Sequence, residues 1–166
     1  MPIRKEGQLD IISHSIEQSQ RLGFRLGSLL QAGDIVCLSG DMGAGKTVFA
    51  TGIGKGWGTK IPVTSPTFNL IHDYTRPTDN QHLYHLDCYR LENPADVESI
   101  GLDDILSGKG VVIVEWPEVI LSKLPPERLW VDIRIQDATR RNYVFVGEGR
   151  RYAAVIGKFR EFTFGA

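Results

Sequence analysis

Eight consecutive residues carry the most legible chemistry in this chain: Gly40, Asp41, Met42, Gly43, Ala44, Gly45, Lys46 and Thr47. They fit the phosphate-binding loop pattern, in which a glycine, four free positions and a second glycine precede lysine and a hydroxyl residue. Gly40, Gly43 and Gly45 let the main chain turn through positive φ and approach a phosphate with no Cβ in the way. Successive backbone N–H groups then point inward as an anion nest. Lys46 adds a positive charge that reaches the outer phosphates, and the Thr47 hydroxyl is a hard oxygen ligand for Mg²⁺. The chemistry is that of a nucleoside triphosphate and its metal ion.

A phosphate loop needs a second, acidic partner for the metal, usually at the end of a buried strand. Val111-Val112-Ile113-Val114-Glu115 has that form. Glu115 reaches one carbon further than Asp, so direct or water-mediated contact with Mg²⁺ is open. Trp116 follows, either as core packing or as a shield over the site. Asp87 sits within the strand-like run His85-Leu86-Asp87-Cys88-Tyr89-Arg90. A carboxylate there is costly to bury unless paired, by Arg90 or by Mg²⁺. Ser65 and Thr67 flank Pro66, either as hydroxyls that sense a γ-phosphate, as in this region of phosphate-loop proteins, or as a plain turn entering a strand. Arg140, Arg141, Arg150, Arg151, Lys158 and Arg160 make the last quarter locally basic, as a solvated face or with one arginine near the nucleotide. The four histidines form no metal set.

These groups need a frame. Asp34-Ile35-Val36-Cys37-Leu38-Ser39 is a short apolar run and predicts a buried strand before the loop. Phe49, Ala50 and Ile53 fall at helical spacing after it, and a helix there points its positive N-terminal end at the phosphates. Gly52, Gly54, Gly56 and Gly58 should weaken and end that helix. Ser15-Ile16-Glu17-Gln18 reads as a capping box opening a helix that runs to about Leu30. A strand is predicted from Pro66 towards Ile71, and a turn from Thr75 to Gln81. A strand over His82 to Leu91 puts Leu83, His85, Asp87 and Tyr89 on one face. Asn93-Pro94-Ala95-Asp96 starts a helix that Gly101 closes. Trp130 to Ile135 and Asn142 to Val146 read as antiparallel partners with one wet face. Tyr152, Val155, Ile156 and Phe159 mark a last amphipathic helix.

Composition sets the limits. The 166 residues suit one α/β domain spanning 1–166 with a mixed sheet, and 42% apolar with 23% charged residues is ordinary for a soluble protein. A net charge of -1 provides no global field for holding nucleic acid. Cys37 and Cys88 form no disulfide or C-x-x-C pattern, which suits a reducing cytoplasm. No stretch approaches the ~20 apolar residues of a membrane helix, and the first six residues lack the apolar run of a signal peptide.

The loop, then Thr64-Ser65-Pro66-Thr67-Phe68, then His85-Leu86-Asp87-Cys88-Tyr89-Arg90-Leu91, then Val114-Glu115-Trp116-Pro117-Glu118 occur in this order. Together they resemble the TsaE (YjeE) family of bacterial ATPases needed to make threonylcarbamoyladenosine (t6A) in tRNA. The resemblance runs from about Ser13 to the arginine pair at 140. It implies a P-loop NTPase-type three-layer α/β fold with a mixed parallel and antiparallel sheet. It implies ATP or ADP on Gly40 to Thr47 and Mg²⁺ on Thr47 and Glu115. Lys46, Asp87, Glu115 and Trp116 would lie at the catalytic centre, and Ser65 and Thr67 in a switch-like loop. Ser19 and one of Arg140 or Arg141 would lie near the nucleotide. TsaD and TsaB would be partners, with tRNA engaged only through them. A small-molecule kinase and a nucleotide-dependent interaction module are the alternatives. A kinase lid rich in arginine is missing between Thr47 and Glu115. The missing guanine signatures N-K-x-D and D-x-x-G favour ATP over GTP.

Overall fold

The computed structural model describes residues 7–65 and 70–165. Among these residues seven strands form one sheet: β1 (Gln8–Ser13), β2 (Ile35–Ser39), β3 (Ile71–Thr75), β4 (His82–Asp87), β5 (Gly110–Glu115), β6 (Leu129–Ile135) and β7 (Arg141–Gly147). Their order is β1-β7-β6-β2-β5-β4-β3. The central strands β6, β2, β5 and β4 run parallel, whereas β7, β1 and β3 are antiparallel to their neighbours. The helices are α1 (Ile16–Gly27), α2 (Lys46–Trp57), α3 (Leu102–Ile105) and α4 (Arg150–Phe164). The described residues also form two 3-10 segments, Pro94–Ile100 and Pro117–Lys123.

The core has two halves, one on each side of the sheet. Val36, Leu38, Val111 and Ile113 pack under α1, α2 and α4, with Phe49, Tyr143, Phe145 and Phe159 filling the centre. Ile35, Cys37, Val112 and Val114 pack on the other side with Val97, Leu102, Ile105 and Ile120. Strands β2 and β5 are therefore buried on both faces, which explains their continuous apolar runs. On β6 the second face is wetter, and Trp130, Asp132 and Arg134 alternate with the buried Leu129, Val131 and Ile133. Among the described residues no helix is long and apolar enough to cross a membrane.

Several local expectations change. Helix α2 continues through Gly52, Gly54 and Gly56 to Trp57, and left-handed Gly58 caps it. A Cβ on Gly56 would lie 1.9 Å from the Phe24 carbonyl oxygen, and one on Gly27 would lie 2.0 Å from that of Ile53. Gly23 and Gly52 complete the seam, facing the carbonyls of Phe49 and Gln20 at 2.6 and 2.5 Å. The backbones of α1 and α2 meet where only hydrogen fits, so tertiary contact overrides the helix-weakening propensity of glycine.

Ser15 caps α1 as expected, accepting from Gln18 N at 3.0 Å, but Gln18 Oε1 bonds His14 N instead of the cap residue. The helix ends at Gly27, and single turns carry the chain on to Leu30. Strand β4 stops at Asp87, because the Asp87 carboxylate accepts from Tyr89 N and folds the chain into a turn. Cys88 is thus just outside the strand, though still buried. Asn93 caps a 3-10 segment instead of an α-helix, with left-handed Gly101 closing it. Strand β3 begins at Ile71; the expected entry at residues 66–69 lies outside the described residues. Strand β1 was not anticipated.

Candidate functional site

The loop leaves β2 at the carboxyl ends of the parallel strands, where open α/β sheets place ligands. Gly40, Gly43 and Gly45 take φ of 143°, 80° and 106°. At Gly40 a Cβ would come within 2.4 Å of the Ile133 carbonyl, so the loop's first turn presses against β6. Lys46 and Thr47 form the first turn of α2. Lys46 is nearly buried, and its Nζ donates to the carbonyls of Gly40 at 2.5 Å and Asp41 at 2.9 Å. The ammonium also lies 4.1 Å from the centre of the Trp116 ring. Burial lowers its pKa below the ordinary lysine value, and the carboxylates of Glu115, Glu118, Asp87 and Asp41 oppose that shift.

Glu115 ends β5 in register with Leu38 of β2 and Asp87 of β4. It shares a face with Ile113 and so points to the side of the sheet that carries α2. Its Oε1 accepts from Thr47 Oγ1 at 3.3 Å, and its Oε2 lies 2.5 Å from His85 Nε2. Asp87 Oδ2 accepts from Ser65 Oγ at 3.4 Å, and no ion pair joins Asp87 to Arg90 among the described residues. Trp116 sits in the left-handed region, at φ 57° and ψ 49°, with Tyr89 packed on it at 5.0 Å between ring centres. A non-glycine residue there carries about 1–2 kcal/mol of strain. The kink turns the indole back over Lys46.

Two cavities of about 340 Å³ each meet at Gly43, Gly45 and Val48. The first brings together Met42, Lys46, Thr47, Asp87, Glu115 and Trp116. The second is lined by Ala44, Ser15, Ser19, Thr139, Arg141 and Tyr143. A larger groove of about 610 Å³, between Phe24, Arg21, Thr51 and Lys55, contains no loop residue and stands apart from this chemistry.

The two arginines at 140–141 point to different places. Arg141 Nε donates to the Ala44 carbonyl at 3.0 Å, whereas Arg140 turns away to pair with Asp137 at 2.6 Å. Ser19 is buried beside the second cavity, with its hydroxyl 2.7 Å from that of Ser13. Ser65 lies next to Asp87, and Thr67 is outside the described residues. Sequence reading did not single out His85 or Tyr143 as site residues. His85 had one signal, its place two residues before Asp87 on the same strand face.

A buried parallel strand, a glycine-rich loop with lysine and threonine, and a helix leaving that loop define a P-loop NTPase-type α/β protein. Comparison with known proteins narrows the class. The family model described as threonylcarbamoyl adenosine biosynthesis protein TsaE matches residues 13–143. The chain is 38% identical over 136 residues to the tRNA threonylcarbamoyladenosine biosynthesis protein TsaE of Bacillus subtilis, covering 82% of this chain and 84% of the relative. It is 40% identical over 139 residues to the protein of that name from Streptomyces coelicolor, covering 81% and 93%. The crystal structure of Bacillus subtilis YdiB superposes with a TM-score of 0.79 at 30% identity, over 96% of this chain and 99% of that one. The chain belongs to the TsaE family.

Proposed function

We propose that this protein is a Mg²⁺-dependent ATP-binding and hydrolysing subunit required for t6A modification of tRNA. In this reading it acts with TsaD and TsaB and meets tRNA only through that complex. The observation that carries the proposal is the meeting of Lys46, Thr47, Glu115 and Asp87 around one cavity at the mouth of the loop. The hard oxygens Thr47 Oγ1 and Glu115 Oε1 are 3.3 Å apart. Adjacent ligands of an octahedral Mg²⁺ with 2.0–2.1 Å bonds stand about 3 Å apart, so the pair fits that ion. Mg²⁺ bound there would supply charge neutralisation for the phosphates.

The protein's own groups do the rest. The N–H groups of residues 43–47 and the α2 dipole fix the phosphates. Lys46 exchanges the carbonyls of Gly40 and Asp41 for phosphate oxygens, and Trp116 keeps water from its other side. Asp87 Oδ2, beside the Ser65 hydroxyl, accepts a hydrogen bond from water in the same cavity. Ser19, Arg141 and Tyr143 line the space for the nucleoside. Neither glutamine nor arginine lines the first cavity among the described residues. Ordering of the attacking water and the final charge stabilisation therefore fall to a partner, and turnover alone is slow.

The test is ATP turnover by wild type, Lys46→Ala and Glu115→Ala, each with and without TsaD and TsaB. Wild type should accelerate with the partners while both variants stay flat. Fast turnover by the isolated protein with no response to partners would overturn the proposal, as would unimpaired Glu115→Ala.

A further inference from the structure

His85 is fully buried beside the site, with no exposed surface. Both ring nitrogens are engaged. Nδ1 lies 3.2 Å from the Thr64 carbonyl oxygen, and Nε2 lies 2.5 Å from Glu115 Oε2. A carbonyl oxygen only accepts, so Nδ1 carries a proton and donates to Thr64; the Nε2–Oε2 contact is then closed by one further proton held between those two atoms. The ring thus spans two elements: the chain leaving α2, just before Ser65, and the carboxylate at the end of β5. The link also divides the work of Glu115. Oε2 is committed to His85, which leaves Oε1 facing the Thr47 hydroxyl.

We propose that His85 is a positioning residue that orients Glu115 towards the metal side of the cavity and ties the Thr64–Ser65 segment to that orientation. The inference rests on the reading of the cavity as a Mg²⁺–nucleotide site. Partners behind a metal ligand set its rotamer, and their loss costs about 10–100-fold in metal affinity. Here the same ring holds the segment whose Ser65 hydroxyl reaches Asp87. Any tilt of Glu115 on binding is transmitted through one rigid imidazole to Thr64, and any shift of Thr64 returns to Glu115.

The two arms can be cut separately. In His85→Gln the amide nitrogen stands near the place of Nε2 and keeps the donor to Glu115. In His85→Asn it stands near Nδ1 and keeps the donor to Thr64. The measurements are calorimetric ADP binding across a Mg²⁺ series and, without nucleotide, amide hydrogen exchange at Thr64 and Ser65. His85→Asn should need about 10-fold or more extra Mg²⁺ for the same ADP affinity, with Mg²⁺-free ADP affinity unchanged and exchange near wild type. His85→Gln should keep the Mg²⁺ requirement and exchange faster at Thr64–Ser65. Equal Mg²⁺ dependence in wild type and His85→Asn overturns the inference, and so does identical behaviour of the two variants. If His85→Asn does not fold, wild-type exchange at Thr64–Ser65 in His85→Gln overturns the bridge by itself. Wild-type ADP affinity that ignores Mg²⁺ would instead sink the nucleotide-site reading, and the inference with it.

Discussion

The glycine seam between α1 and α2 makes a prediction that can be worked through in numbers. Gly56→Ala places a methyl group 1.9 Å from the Phe24 carbonyl oxygen, a backbone atom that cannot swing aside. Ordinary contact needs about 3.5 Å, so the helices must part by roughly 1.5 Å at that point. Separation disturbs Leu22 and Leu26, which are 2% and 1% exposed at the base of α1. Alanine gains about 1 kcal/mol over glycine in helix propensity. Overpacking a close contact costs about 1–3 kcal/mol, and partial loss of two leucine contacts adds about 1–2 kcal/mol. The net expectation is a loss of about 2–3 kcal/mol, a large share of the ~5–15 kcal/mol typical of a domain. Gly157→Ala in α4 is the control: its Cβ meets nothing within 4 Å, so propensity acts alone and stability rises by about 0.5–1 kcal/mol. Urea unfolding of the three proteins decides the matter. If Gly56→Ala were as stable as Gly157→Ala, the seam would not be the close contact described.

Two further outcomes are expected. Burial pushes the thiols of Cys37 and Cys88 up to about 12, so neither should be alkylated in the folded protein at pH 8, and both should react in urea; one thiol labelled at the rate of a free cysteine in the native state would refute this. Asp137 is held down to about 2, first by the Arg140 backbone N–H, then by the Arg140 side chain and the Thr139 N–H. A depressed carboxyl stabilises the fold above its unfolded pKa, so the 137–140 turn should be fully held above about pH 4 and released as pH falls towards 2. Arg140→Ala should raise the Asp137 midpoint in a carboxyl NMR titration only part of the way to the ordinary value, since the backbone donor remains. A full return, or no change, would be wrong for this turn.

What could be read from sequence was mostly what is local. The strand–loop–helix around Gly40 to Thr47 and the apolar run ending in Glu115 announce themselves, because both faces of β2 and β5 are buried. Their order in the sheet is not local, and neither is the register that sets Asp87 beside Glu115. The glycines of α2 misled because propensity speaks of an isolated helix, while the close approach of α1 is set by the fold. Strand β1 is only six residues long, and its partner is remote. Arg140 and Arg141 are equivalent as letters. The Asp137 turn and the start of β7 send one to its own loop and the other to Ala44. His85 was visible on a strand face, but its two partners depend on how β4 lies against β5 and on where the chain leaves α2.

The pairing of β1 with β7 also has a consequence for the order in which the molecule matures. Ser13 is opposite Arg141, and Gln8 is opposite Val146, so β1 must wait for β7, more than 120 residues later in the chain. Contacts of such sequence separation close late and slow folding. The core from β2 to β6 can form while synthesis continues, with the N-terminal strand unpaired meanwhile. Ser19 follows β1 closely, and Arg141 and Tyr143 lie on β7, so the wall they share is the last part of the cavity to be built. A nascent chain stopped before β7 would carry the loop without the wall that Arg141 and Tyr143 add, so the second cavity closes only once β7 has been made and paired.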